Sequence, residues 1–261
     1  MLIRGLMNIK ICKIDQLGQA YLATFAIPSS SSSVDSKKTF GFCLIEEKLL
    51  FFDDTDTVSS LLKEINQSYI SDINSPAMFL YYFLERLIDG EIQNLQEYDE
   101  KLSKLEEFLL HIELKHFEQK IFLIRKELSN LCTYYQQLSD ICETIEKHIA
   151  PPDPSHCHQL YVLLNDKIER LSNMVQMLID CSVQLREMHQ TSIDIRQNQI
   201  VQTLTIVATT TMPLSLIAAW YGMNFEHMPE LSAAHGYPIV CILSLAIVIL
   251  EIYVFKKKRW F

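Results

Sequence analysis

Six positions near the C-terminal end, Asn198, Val201, Leu204, Ala208, Met212 and Ser215, recur at spacings of three and four and so fall on one helical face. That stripe ends near Tyr221-Gly222-Met223-Asn224. A stripe of this kind is a candidate pore lining, and its alternative is ordinary helix–helix packing through small residues. The same stretch carries Thr203, Thr205, Thr209, Thr210, Thr211 and Ser215, more hydroxyls than lipid contact explains, so some are expected to face protein or water.

Other chemistry-bearing groups are weaker. His156-Cys157-His158 could bind a soft metal, but it opens a helix after prolines, where adjacent side chains point in different directions. Asp53, Asp54 and Asp56 read either as part of a divalent-sensing interface or as a solvated turn. No Ser/His/Asp or Cys/His triad spacing, Walker motif or paired catalytic carboxylate is visible, so no enzyme is expected.

The elements that must position the stripe are membrane helices. No charged residue occurs between Arg196 and Glu226, and the 22 residues from Ile200 to Tyr221 within that gap are long enough to span a bilayer core, which needs roughly 20 helical residues. A second run, Tyr237 to Phe255, is uncharged except for Glu251, which lies near the Lys256 cluster and is expected near the headgroups. The loop between the spans has no Lys or Arg, whereas Lys256, Lys257, Lys258 and Arg259 follow the second span, with Trp260 and Phe261 at the interface. The positive-inside rule then puts the C-terminus in the cytoplasm, and two crossings return the chain to the side it came from.

Charge agrees with this division. The 261 residues carry 23 Lys+Arg against 32 Asp+Glu, a net charge of −9, and 49% of them are hydrophobic, which excludes a disordered polyanion and a basic nucleic-acid binder. Residues 1–196 hold 19 basic and 29 acidic side chains, so the acidity lies in the expected cytoplasmic part. No signal peptide is read at the N-terminus, because Arg4 to Lys10 contains no apolar h-region. Seven scattered cysteines without a C-x-x-C pair suit reduced thiols, and the glycine-free stretch from Glu91 to Tyr221 excludes a glycine-rich phosphate loop there.

Short β-rich runs, Ile9 to Ile14, Ala20 to Ile27, Thr39 to Ile45 and Leu49 to Phe52, predict a small α/β region with Ser29 to Ser33 as a surface loop. Thr57 to Ile65 predicts a short helix, Pro76 suits the first turn of the next, and Ala77 to Ala150 predicts one or two long helices. Pro151, Pro152 and Pro154 break the pattern. From Ser155 to Met212 there is neither Pro nor Gly, and a continuous helix there would extend ~87 Å. On it, Leu164, Ile168, Leu171, Val175, Leu178, Ser182 and Leu185 form a coiled-coil-like seam that needs a hairpin partner or other subunits.

The segment Tyr221-Gly222-Met223-Asn224-Phe225-Glu226-His227-Met228-Pro229-Glu230-Leu231, between two spans and with Met212-Pro213-Leu214 upstream, resembles the signature of the CorA family of magnesium transporters. The close resemblance covers roughly Arg196 to Phe261, and the short N-terminal region departs from the family layout. It implies an α+β membrane protein: a cytoplasmic α/β region over 1–75, a long-helix hairpin and stalk over 76–199, a pore-lining span over 200–221, an external loop over 222–236, a second span over 237–255 and a basic tail over 256–261. Five copies would form a funnel-shaped homopentamer in the cell inner membrane, with both termini cytoplasmic and no nucleic-acid partner.

In that picture Tyr221, Gly222, Met223 and Asn224 form the selectivity filter, and Asn224 the metal-contacting ring. Mg²⁺ gives up its water reluctantly, so neutral amides that bind its hydration shell can capture it without trapping it. Gly222 would allow a tight exit from the helix, and Glu226 and Glu230 would concentrate cations outside. Ser215 would supply a hydroxyl ring, Met212 a narrow apolar ring, Leu204 and Val201 the hydrophobic constriction and Asn198 an inner polar ring. The family often has Thr and Met where Ser215 and Val201 stand here.

The resemblance implies transport of Mg²⁺, with Co²⁺ or Ni²⁺ as lesser substrates, and regulation by cytoplasmic Mg²⁺. The expected position of the family's sensing carboxylate falls at Leu163, so Asp166 and Glu169, three and six residues further on, are the nearest replacements. A proton-coupled Zn²⁺ transporter of the same superfamily and a non-conducting membrane-anchored scaffold are the alternative functions.

Overall fold

The computed structural model describes residues 11–28, 38–53, 56–68, 73–111, 116–149, 156–223 and 235–257. Two compact units divide at Glu187/Met188, within one long helix.

The first unit opens with a four-stranded sheet of order β1-β2-β3-β4: β1 Lys13–Leu17, β2 Ala20–Ile27, β3 Lys38–Ile45 and β4 Lys48–Asp53. Every neighbouring pair is antiparallel, a meander. Leu17 pairs with Ala20 and Ile45 with Lys48, so two-residue turns close both hairpins, far too short for a βαβ crossover. Gly18 begins the first turn at φ 66°, the sign that the primed turns of two-residue hairpins demand there.

The first strand differs from the predicted run Ile9 to Ile14. Pairing with β2 begins at that turn and extends back only to Lys13, opposite Thr24. Cys12 leaves the ladder: its N–H donates to Gln137 Oε1 at 2.7 Å, and its Sγ accepts from the Ala26 N–H at 3.2 Å. The Ser29 to Ser33 loop lies outside the described residues.

Six helices follow among the described residues: α1 Thr57–Ser68, α2 Pro76–Leu87, α3 Glu91–His111, α4 Phe117–His148, α5 His156–Tyr221 and α6 Gly236–Lys257. Asp53 Oδ2 accepts the Val58 N–H at 2.6 Å, tying the end of β4 to the first turn of α1. Ser75 caps α2 by accepting the Met78 N–H, with Pro76 in the first turn as predicted. Between Ala77 and Ala150 the described residues form the short α2 and two long helices, α3 and α4. The helix is interrupted at Asp89 and Gly90, where Gly90 takes φ 82°, and α4 starts after His116 at φ 72°. Breaks made by a lone glycine and a histidine carry little signal when no proline marks them.

Aromatic rings join the sheet to α2. Phe25 stacks on Phe40 at 4.8 Å between centroids, and Phe83 meets Phe40 edge-on at 5.6 Å and Phe51 at 5.0 Å. The predicted seam on α5 is buried at all seven positions within this single chain. Its partners are α2 and α4: Tyr161 donates to the Ala77 carbonyl at 2.8 Å, Lys167 pairs with Glu85 at 2.7 Å and Ser139 donates to Asn165 Oδ1 at 2.7 Å. The seam is thereby satisfied by a hairpin in the same chain. All seven cysteines are free thiols.

Candidate functional site

The second unit contains the end of α5 and all of α6, the two helices among the described residues that are long and apolar enough to cross a membrane. α5 runs unbroken through Pro213, whose missing N–H leaves the Thr209 carbonyl without its usual helical donor. The less exposed positions of this segment, Ile206, Thr210, Leu214, Ile217 and Tyr221, lie on one face. Those of α6, Val240, Ser244, Ile247, Glu251 and Phe255, do likewise.

The stripe Asn198, Val201, Leu204, Ala208, Met212 and Ser215 is exposed throughout. At 3.6 residues per turn it lies on the side of α5 opposite its less exposed face. Leu204 is 68% and Met212 75% exposed, so large apolar side chains stand here without cover from their own chain.

The hydroxyl surplus has a local explanation. Thr203, Thr205, Thr209 and Thr211 donate to the carbonyls of Gln199, Val201, Thr205 and Val207, four residues back, at 2.7 to 2.9 Å. Back-bonding of this kind satisfies the donors inside the helix, so those four threonines do not call for water or a neighbouring helix.

Tyr221 ends α5, and the Gly222 N–H donates to the Ala218 carbonyl at 2.9 Å, closing one further turn. A Cβ at Gly222 would meet that same carbonyl oxygen at 2.9 Å, against backbone that cannot swing aside. Only glycine leaves the helix here without displacing the last turn, which positions whatever follows Met223. Asn224, Glu226 and Glu230 lie outside the described residues, as do Lys258, Arg259, Trp260 and Phe261. Lys256 and Lys257 close α6. Glu251 turns inward on the half-buried face of α6, and its Oε2 is buried without a hydrogen-bond partner among the described residues.

Asp166 and Glu169 are both exposed on α5, as is Leu163. The Arg170 Nε–H donates to the Asp166 backbone carbonyl at 3.3 Å. Among the described residues no three His, Cys, Asp or Glu side chains gather closely enough to hold a metal. Burial pushes the Cys157 thiol up, away from the thiolate a soft metal needs, and the His158 ring lies 3.7 Å from Glu146. Asp53 serves α1 as described, Asp56 adopts φ 55° just before that helix, and Asp54 lies outside the described residues.

Against this geometry stand the similarities to known proteins. The family model described as CorA-like Mg²⁺ transporter protein matches residues 18–257. A cobalt/magnesium transport protein CorA of Thermotoga maritima is 29% identical over 181 residues, 69% of this chain and 52% of that protein. The chain spans about half the length of the curated relatives it matches. Among solved structures, the complete CorA magnesium transporter of Methanocaldococcus jannaschii superposes with TM-score 0.82 at 22% identity, over 100% of this chain and 83% of that one. The ZntB cytoplasmic domain of Vibrio parahaemolyticus gives TM-score 0.59 at 11% identity, over 74% of this chain and 78% of that one. At such identities the two structures speak to the fold alone.

Proposed function

The chain belongs to the family of CorA-like Mg²⁺ transporter proteins, and from that premise we propose that it conducts Mg²⁺ as a homopentamer whose α5 helices surround a central pore. The observation that carries this reading is the exposed stripe on the side of α5 opposite its less exposed face. In a pentamer five such stripes face one axis. Ser215 and Met212 then line the outer half, Leu204 and Val201 form an apolar constriction, and Asn198 makes an inner polar ring.

Residues 200–221 and 237–255 cross the inner membrane in this reading, residues 222–236 face outward, and 1–199 with 256–261 lie in the cytoplasm. The Asn224 amides capture the hydrated ion at the outer mouth, with Glu226 and Glu230 raising the local cation concentration. An inside-negative potential favours inward movement by ~2.3 kcal/mol per charge per 100 mV, about twice that for a divalent ion, so passive conduction suffices. Co²⁺ and Ni²⁺ share the divalent charge and are lesser substrates.

Met228-Pro229-Glu230-Leu231 favours Mg²⁺ over the proton-coupled Zn²⁺ alternative. Ion flux into proteoliposomes, followed for Mg²⁺ and Zn²⁺ with and without a pH gradient, tests the choice. Mg²⁺ flux that ignores the gradient is the expected result. Zn²⁺ flux that grows with the gradient would overturn it in favour of the coupled transporter, and no flux of either ion would leave the scaffold.

Regulation in this reading uses Mg²⁺ bound between acidic faces of neighbouring copies. The −10 balance of residues 1–196 makes their close approach costly until divalent ions relieve it. With Leu163 at the expected sensing position, the site is shifted and weak. Replacing Asp166 and Glu169 together by Ala should raise the Mg²⁺ concentration that half-closes the channel several-fold. Half-closure at the wild-type concentration in a patch-clamp titration would remove this face from sensing.

A further inference from the structure

A groove of about 560 Å³ lies between the first turns of α4 and the middle of α5, wholly within the first unit. Glu118, Ile121, Phe122 and Arg125 share one face of α4 at spacings of three and four, and Ser182 and Arg186 line the groove from α5. Ile121 is buried, whereas Phe122 and Leu123 beside it keep 64% and 53% of their surface exposed. The Ser182 hydroxyl donates to the Ile179 carbonyl of its own helix at 2.6 Å, so its proton is turned away from the groove. Large apolar side chains left side by side in water mark a surface that an apolar partner covers.

Charge narrows the choice of partner. Residues 1–196 carry a balance of −10, yet the groove has two guanidiniums, Arg125 and Arg186, against one carboxylate, Glu118. Glu118 Oε2 lies 3.5 Å from Arg186 Nε, whereas Arg125 makes no ion pair or hydrogen bond with the described residues. One positive charge is therefore left over beside the apolar lining, in a domain whose charge runs the other way.

An apolar groove with one spare guanidinium is complementary to an amphiphile with one chain and one negative head. A guanidinium presents parallel N–H donors that match the two oxygens of a carboxylate, and the volume lies within the roughly 300–1,000 Å³ usual for small-molecule sites. We propose that this groove binds a long-chain fatty acid, its carboxylate paired with Arg125 and its chain lying over Ile121, Phe122 and Leu123. The acid bridges α4 to α5 inside one copy. No residue of the α5 stripe takes part, so the site stands whether or not the conduction reading does.

The test uses the full chain in nanodiscs of neutral phosphatidylcholine, with a palmitate that carries a photoactivatable diazirine as the probe and the labelled peptides mapped by mass spectrometry. Saturable labelling within residues 117–125 and 182–186, displaced by palmitate, is expected. Hexadecanol, the same chain without the charge, should displace the probe about tenfold more weakly or worse, and Arg125→Gln should weaken palmitate binding by a similar factor. Arg125 is exposed, so its replacement spares the packing of α4, and Phe122→Ser, which removes apolar lining and no charge, should reduce labelling independently. Labelling confined to residues 200–221 and 237–255, equal displacement by hexadecanol, or an affinity that Arg125→Gln leaves unchanged would overturn the proposal. An unlabelled groove in which Phe122→Cys crosslinks one copy to another would overturn it too, in favour of a neighbouring copy as the cover.

Discussion

Asn224→Ala is expected to reduce Mg²⁺ uptake to the background of empty liposomes while the oligomer assembles as before. Mg²⁺ holds its water strongly and demands near-octahedral geometry, so a first site that strips the shell would cost more than it returns. Amide carbonyls accept hydrogen bonds from the shell's waters, and five of them around an axis form a ring of matching acceptors without net charge to trap the ion. Alanine removes all five acceptors at once and leaves a methyl ring that offers the hydrated ion nothing. The helix that presents the ring should be untouched, because α5 ends at Tyr221 and its closing bond runs from Gly222 to Ala218. Uptake followed with an internal Mg²⁺-sensitive dye, with oligomer mass from light scattering, separates capture from assembly. Wild-type uptake in the variant would remove Asn224 from the conduction path.

What the sequence made legible was periodic. The seam from Leu164 to Leu185 repeats at four and three, and every member is buried, because a regular apolar stripe has only one way to leave water. Ala20–Ile27 stands where its β-branched and aromatic residues predict, and Pro76 begins α2 because proline suits a first turn. The break at Asp89 and Gly90 and the restart at His116 were not legible, since a single residue in a left-handed conformation leaves no pattern around it. Nor was the hydrogen bond between Glu91 and Tyr135, which are 44 positions apart and meet only after α3 and α4 pack. The threonines were misleading for a related reason. Composition counts hydroxyls, whereas only coordinates show that Thr205 and Thr209 spend theirs on their own helix. The segment Tyr221-Gly222-Met223-Asn224 is the reverse case, read from the order of its residues, and Gly222 stands where only glycine fits.

Leu204→Asp is expected to leave the channel open at internal Mg²⁺ concentrations that close the wild type. Leu204 stands on the uncovered side of α5 with 68% of its surface exposed in the single chain, one turn from Val201 on the same stripe. Five leucines brought to one axis make a narrow apolar ring from which water withdraws, and an ion that cannot shed its shell cannot pass a dry segment. A carboxylate at each of the five positions holds water there and lowers the local potential for a cation, so both barriers fall together. Leu204→Asn separates the two contributions, since it wets the ring without adding charge. If dewetting is the gate, the Asn variant leaks as well, with a smaller current than the Asp variant. Patch-clamp current at raised internal Mg²⁺ reads this directly. Closure of Leu204→Asp at the wild-type concentration would show that the constriction lies at another level of the stripe, with Met212 as the next apolar ring to test.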